Sequence, residues 1–146
     1  MDNTNVEKNS WSMLEQEYID QLNHANMRLK CAQEWIRLYS QGKTISEKCQ
    51  QKAIDKIIIY GASDMAVFLI DFCIREGVQV IGISDSKITK SGMDYKGIPF
   101  LSVADINAVK EDATVVITAM GFVEEIKGML LKKEITKVVS LLELVQ

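Results

Sequence analysis

The chain is poor in the residues that mark several common chemistries. Its 146 residues include one histidine, His24, one proline, Pro99, and three cysteines, Cys31, Cys49 and Cys73. The cysteines are odd in number, widely spaced and form no CxxC pair. Neither a disulfide framework nor a zinc site is expected, and no metal is assigned. Each cysteine falls in a stretch that reads as helix. We expect reduced thiols there, with Cys73 packed as a small apolar residue. The lone histidine lies in the N-terminal part, so no Ser/His/Asp or Cys/His constellation can be assembled around it. We expect His24 to be a solvated helix residue. No Tyr-x-x-x-Lys pair follows the fourth expected strand, so the sequence assigns no catalytic residue.

Other absences bound the partners. Net charge is −3 and the pI about 5.2. There is no basic excess of the kind that nucleic acid requires. No apolar run approaches the roughly 20 residues that cross a bilayer, so no membrane association is expected. The first ten residues, MDNTNVEKNS, are polar and lack the charged-then-apolar pattern of a secretory signal. A cytoplasmic location is the expectation. Hydrophobic content of 47% with 25% charged residues is still ample for a folded core.

What is present divides near residue 43. Residues 10–41 contain neither glycine nor proline. Trp11, Leu14, Tyr18, Leu22, Ala25, Leu29, Ala32, Ile36 and Tyr39 succeed one another at steps of three or four. That spacing predicts one apolar stripe along a helix. Asn9 or Ser10 could cap it, or Ser12 with Glu15 as a capping box, and Gly42 would end it. Such a helix is about 45 Å long. A domain of the remaining size is only about 25–30 Å across, so the helix should overhang. We expect residues 1–54 to form a helical arm and linker helix, the latter over Ile45–Lys52 capped by Thr44 or Ser46. Residues 55–146 should form a separate α/β domain. A helix packed along its own domain and a homodimerisation arm are both compatible with the stripe. A continuous apolar seam favours the homodimer.

In the second region apolar runs alternate with amphipathic stretches. Strands are predicted at Lys56–Tyr60, Gln79–Ser84, Pro99–Leu101, Thr114–Thr118 and Lys137–Ser140. Helices are predicted at Asp64–Glu76, Val103–Val109, Val123–Lys133 and Leu141–Val145. The strands are Ile/Val-rich without polar alternation, as in a sheet covered on both faces. Right-handed crossovers then give an α/β fold, a Rossmann-like parallel sheet of order 3-2-1-4-5. The polar segment Asp85–Lys96 reads as a mobile loop.

The richest stretch is residues 56–86, KIIIYGASDMAVFLIDFCIREGVQVIGISDS. A strand meets the turn Gly61-Ala62-Ser63, then a helix, then a strand ending at Asp85. That order is the opening unit of a dinucleotide-binding fold. Against the pattern G-x-G-x-x-G/A the chain has Gly61-Ala62-Ser63-Asp64-Met65-Ala66. Gly61 would make the sharp turn, and Ala66 would allow close helix–strand packing. Ser63 replaces the glycine that lets a pyrophosphate approach. It can donate a hydrogen bond, but it occupies space. Asp64 suits the positive end of the helix dipole, yet would repel a phosphate if turned inward. Asp85, 24 positions after Gly61, is placed to accept ribose hydroxyls or, more simply, to cap a loop. Ser86 and Lys87 follow, and Lys87 facing a 2′-phosphate leaves NAD and NADP both open. Thr118-Ala119-Met120-Gly121 would form the other wall of the crevice. Met120 and Phe122 there would meet a base or sugar, or else a neighbouring subunit.

Several segments carry a resemblance: KIIIYGAS, VIGISDSK, KGIPFLS followed by VADI, and VVITA. Gly97-Ile98-Pro99 matches a Gly-(Ile/Val)-Pro segment that forms a short strand. Over about 90 of its 146 residues the chain resembles the Rossmann-like domain of nucleotide-sugar enzymes. That domain stands at the N-terminus of sialic-acid and bacillosamine-type sugar acetyltransferases, and precedes the catalytic part of some polysaccharide-biosynthesis dehydratases. The resemblance implies binding of NAD(P) or a nucleotide sugar in surface-polysaccharide metabolism, beside a partner enzyme that carries the chemistry. The chain has neither a hexapeptide-repeat domain nor a catalytic short-chain domain. The alternative is a dimeric interaction module that has lost its ligand.

Overall fold

The computed structural model describes the backbone of residues 3–146 and the side chains from residue 12 onward. A long helix, α1 (Asn3–Ser40), is followed by α2 (Ile45–Gln51) and β1 (Lys56–Tyr60). Then come α3 (Asp64–Glu76), β2 (Gln79–Ser84), β3 (Asp94–Tyr95), β4 (Ile98–Pro99), α4 (Val103–Val109), β5 (Thr114–Ile117), α5 (Val123–Lys132), β6 (Val138–Ser140) and α6 (Leu141–Val145). Strands β2-β1-β5-β6 form a four-stranded parallel sheet.

The sheet is covered on both faces, which explains its unbroken apolar strands. Successive residues of β1 point to opposite sides. Ile57 and Ile59 join Cys31, Trp35, Leu69, Ile70, Cys73 and Leu141 under α1, α2, α3 and α6. Ile58 and Tyr60 join Ile106, Val115, Leu130 and Ile135 under α4 and α5. The three cysteines are free and buried, and burial pushes their thiols up to about 12, 11 and 12 for Cys31, Cys49 and Cys73.

The expected third strand at Pro99–Leu101 is corrected. Residues 94–95 pair antiparallel with 98–99 around a two-residue turn. Lys96 (φ 52) and Gly97 (φ 81) both take the left-handed backbone that such a tight hairpin requires. Pro99 has no N–H to give a sheet. Only Phe100 and Leu101 reach β2, through a single parallel bridge to Ile83 and a 2.8 Å bond from the Leu101 N–H to the Ile83 carbonyl. The neighbour order is as expected, but the edge strand is reduced to one bridge. Gly82 makes room for this contact, since a Cβ there would meet Leu101 Cδ1 at 2.2 Å. The segment read as a mobile loop also carries β3, and the Ser91 hydroxyl in it bonds Asp105 at the start of α4.

The long helix also departs from expectation. It begins at Asn3, so Ser12 and Glu15 lie inside it rather than at a cap. Trp11 falls outside the described side chains. The helix ends where Gly42 (φ 75) allows a left-handed turn, with the Lys43 N–H bonded to the Leu38 carbonyl. Thr44 caps α2 through the Glu47 N–H. The stripe read from the sequence is not the face that packs on the sheet. Cys31, Trp35 and Leu38 are buried there, with Met27 and Tyr39 partly so. Leu14, Tyr18, Leu22, Leu29 and Ile36 remain exposed. Glu76 of α3 ties the end of α1 to the start of α2, accepting from the Tyr39 hydroxyl and, at 2.9 Å, from the Ser46 N–H.

Among the described residues no helix is long and apolar enough to cross a membrane.

Candidate functional site

The C-terminal ends of β1, β2 and β5 meet at one edge of the sheet, where parallel α/β sheets open a crevice. Gly61 stands at the centre. Its φ is 122, and a Cβ on it would lie 2.7 Å from Thr118 Oγ1 and 2.9 Å from the Ala119 nitrogen. Only glycine fits there, because β1 and β5 touch through it. Thr118, itself buried, donates from its hydroxyl to the Gly61 carbonyl at 2.8 Å. The Gly61 N–H donates to the Ser84 carbonyl at 2.8 Å, which fastens the turn to β2.

Ser63 is the N-cap of α3. It has extended backbone, and its hydroxyl makes no cap bond. Ala62, Ser63 and Asp64 are exposed. Among the described residues the amides of Ser63, Asp64 and Met65 have no protein acceptor. The first intrahelical bond begins at Ala66, whose N–H donates to the Ser63 carbonyl at 3.0 Å. Unpaired amides at the start of a 13-residue helix form an anion-attracting end. Ala66 is buried against the sheet and provides packing, while Met65 is buried with an edge on the cleft.

Asp85 is engaged with its own backbone. Its Oδ2 accepts from the Ala62 N–H at 2.9 Å, and its Oδ1 accepts from the Lys87 N–H at 3.0 Å and the Ser86 hydroxyl at 3.4 Å. The carboxylate therefore braces β2's end against the glycine turn, as the simpler loop-capping alternative expected. Partial burial pushes its pKa up. The Ala62 and Lys87 amides, the Ser86 hydroxyl and the Lys87 charge outweigh that and hold it below the ordinary carboxyl value. A depressed carboxyl stabilises the fold above its unfolded pKa, and that support is lost as the pH falls through the folded pKa. Asp85→Asn should thus cost roughly 1–3 kcal/mol at neutral pH. The gap to wild type should close as the pH drops below about 4. Urea unfolding at a series of pH values measures it, and a pH-independent gap would remove the charge from the explanation.

Two larger depressions flank the turn. One, of about 620 Å³, is lined by Gly61–Met65, Asp85, Thr118–Phe122 and, across from them, His24, Arg28 and Leu29 of α1. The other, of about 520 Å³, is lined by Ser86, Lys87, Ile88, Ile126 and Met129, and shares Gly61, Ala62, Asp85, Ala119 and Phe122 with the first. The structure thus gathers Gly61, Ala62, Ser63, Asp64, Met65, Asp85, Thr118, Ala119 and Met120 at one cleft. It sets Ser86 and Lys87 on the far side of the ridge, and Ala66 on a smaller depression of about 260 Å³ that it shares with Ala62, Ser63 and Asp64.

One sequence reading is narrowed here and one corrected. Met120 is buried in the core beneath α1 and offers the cleft only an edge. His24 is half-buried rather than solvated. Its ring lies 4.6 Å from that of Phe122, and a Cβ on Gly121 would come within 2.5 Å of it. Sequence reasoning missed Arg28 and His24 as wall residues because they belong to a helix read as an overhanging arm. Their spacing of four, on the face that also carries Cys31 and Trp35, was the available signal. Among the described residues no group of three or more His, Cys, Asp and Glu is placed to hold a metal ion.

No curated protein and no solved structure gives a significant match to the chain. Residues 53–138, which hold the glycine turn, Asp85 and the Thr118–Phe122 wall, match the family described as C2185-like, N-terminal, and at well over half of the chain that match makes the protein a member of this family.

Proposed function

We propose that the cleft above Gly61 binds the phosphate of a nucleotide-type ligand, a dinucleotide such as NAD(P) or a nucleotide sugar. The protein would act as a non-catalytic component of nucleotide-sugar or surface-polysaccharide metabolism, working beside an enzyme that supplies the chemistry. The observation that carries this reading is the start of α3. Three amides without a protein acceptor open into a cleft whose opposite wall bears the Arg28 cation. Helix amides and a guanidinium are the two groups that most favour a phosphate. The neighbouring depression, with Ile88, Ile126 and Met129 beside Lys87, has the apolar lining that suits a base.

One observation favours the second reading, a Rossmann-like interaction module without a ligand. The Ala62 amide, which a bound pyrophosphate would want, is already taken by Asp85.

Thermal shift against NAD, NADP, UDP-sugars, CDP-sugars and CoA decides between them. A ligand present at 100 times its Kd adds about 2.7 kcal/mol, a shift of roughly 8–12 °C for a chain of this size. No shift with any of them at millimolar concentration would leave the second reading. For a ligand that does bind, Ser63→Gly should tighten binding or leave it unchanged, because the backbone becomes easier to approach. A loss of tenfold or more would instead show that the serine hydroxyl holds the phosphate.

A further inference from the structure

Helix α1 carries two apolar faces and buries one. Cys31, Trp35 and Leu38 face the sheet. On the other face Leu14 is 57% exposed, Tyr18 64%, Leu22 44%, Leu29 57% and Ile36 70%. Every side chain from Ser12 to Asn23 is exposed. Such a row on a soluble surface calls for a cover.

We propose that the cover is a second copy of this chain, its α1 running antiparallel to the first. The order of residues in the seam argues for that direction. Leu14 and Ile36 lie 11 positions either side of Ala25, and Tyr18 and Ala32 lie 7 either side. Reversing one helix about Ala25 therefore sets Leu14 against Ile36 and the large Tyr18 against the small Ala32. Leu22 falls against Leu29 within one position. Ala25 meets its own copy, where a small side chain lets the helices come close. This is the self-complementarity that a two-fold axis demands.

Charge agrees with the same direction. Glu15, Glu17 and Asp20 lie before Ala25, and Arg28 and Lys30 after it, where Glu34 and Arg37 pair with each other. Antiparallel helices place acid beside base and oppose their dipoles, whereas parallel helices would place acid beside acid. The surface also continues past the helix. A groove of about 490 Å³, lined by Ala32, Trp35, Ile36, Met65, Phe68 and Phe72, opens beside Ile36. Tyr39 and Ser40 complete its mainly apolar lining, and it lies where the partner's Leu14 end would arrive.

Sedimentation at tens of micromolar should show a dimer. Leu22→Glu with Leu29→Glu should raise its Kd at least 100-fold and give a monomer of unchanged circular dichroism, since both leucines are already exposed in the single chain. Direction is read by mixing two cysteine variants. Leu14→Cys on one chain and Ile36→Cys on the other should oxidise to a covalent heterodimer, while neither variant alone should cross-link to itself. A wild-type monomer, a glutamate variant that stays dimeric, or self-linking Leu14→Cys each overturns the proposal.

Discussion

Gly61→Val should destabilise the protein by roughly 3–5 kcal/mol, among the largest effects of any single change outside the hydrophobic core. Two penalties add. A branched side chain at φ 122 is strained in any surroundings. Its Cβ would also enter space held by Thr118 Oγ1 at 2.7 Å and the Ala119 nitrogen at 2.9 Å. One of those is backbone in β5's exit and cannot swing aside. Relief requires β1 and β5 to part, and parting breaks the Thr118 hydroxyl bond to the Gly61 carbonyl. The melting temperature should fall by roughly 10–20 °C. Thr118→Val removes the hydroxyl that Gly61 and, at 3.2 Å, Tyr60 share through their carbonyls, and should cost about 1 kcal/mol. If Gly61→Val lost less than 1 kcal/mol in denaturant titrations, the turn would have to be far more yielding than its contacts indicate.

Gly61 was legible in the sequence because it sits between an Ile-rich run and an amphipathic one, and only a turn with special backbone joins such segments. The same kind of signal located β1, α3 and β2 to the residue. It failed at residues 94–101, where the Lys96-Gly97 turn and Pro99 spend the backbone on a local hairpin. The apolar Phe100 and Leu101 still advertise a strand there, but too few N–H groups remain to build one. It failed again on α1. A stripe at steps of three and four identifies a helix, yet not which of two faces the helix turns inward. Trp35 and Leu38 lie on the other face, and they, with Cys31, dock on the sheet. Asp85 was legible as a position and not as a partner. Spacing put a carboxylate at the end of β2, while the amides it bonds, Ala62 and Lys87, became visible only when the two loops were brought together.

The docking of α1 gives the cleft a wall that the sheet domain alone would lack, and Arg28 is the charge on that wall. It forms no ion pair within the chain among the described residues, so its removal should leave the stability of the single chain within about 0.5 kcal/mol of wild type. Its effect on an anionic ligand should be much larger. Arg28→Ala removes a charge-assisted hydrogen bond, about 1.5–3 kcal/mol, or roughly 10- to 150-fold in affinity. Arg28→Glu adds repulsion between like charges and should weaken binding further. Two controls separate recognition of phosphate from disturbance of the helix. Affinity for the corresponding neutral nucleoside should be the same in all three proteins. The salt dependence of nucleotide binding should flatten once the guanidinium is gone, because ionic strength screens what that charge contributed. Isothermal titration at two salt concentrations reads both. Equal nucleotide affinity in wild type and Arg28→Glu would take the ligand out of this cleft. The α3 amides would then be a solvated helix end, and α1 would serve the sheet through packing and the Tyr39 bond to Glu76, with His24 on Phe122 and the Cys31–Leu38 face on the core.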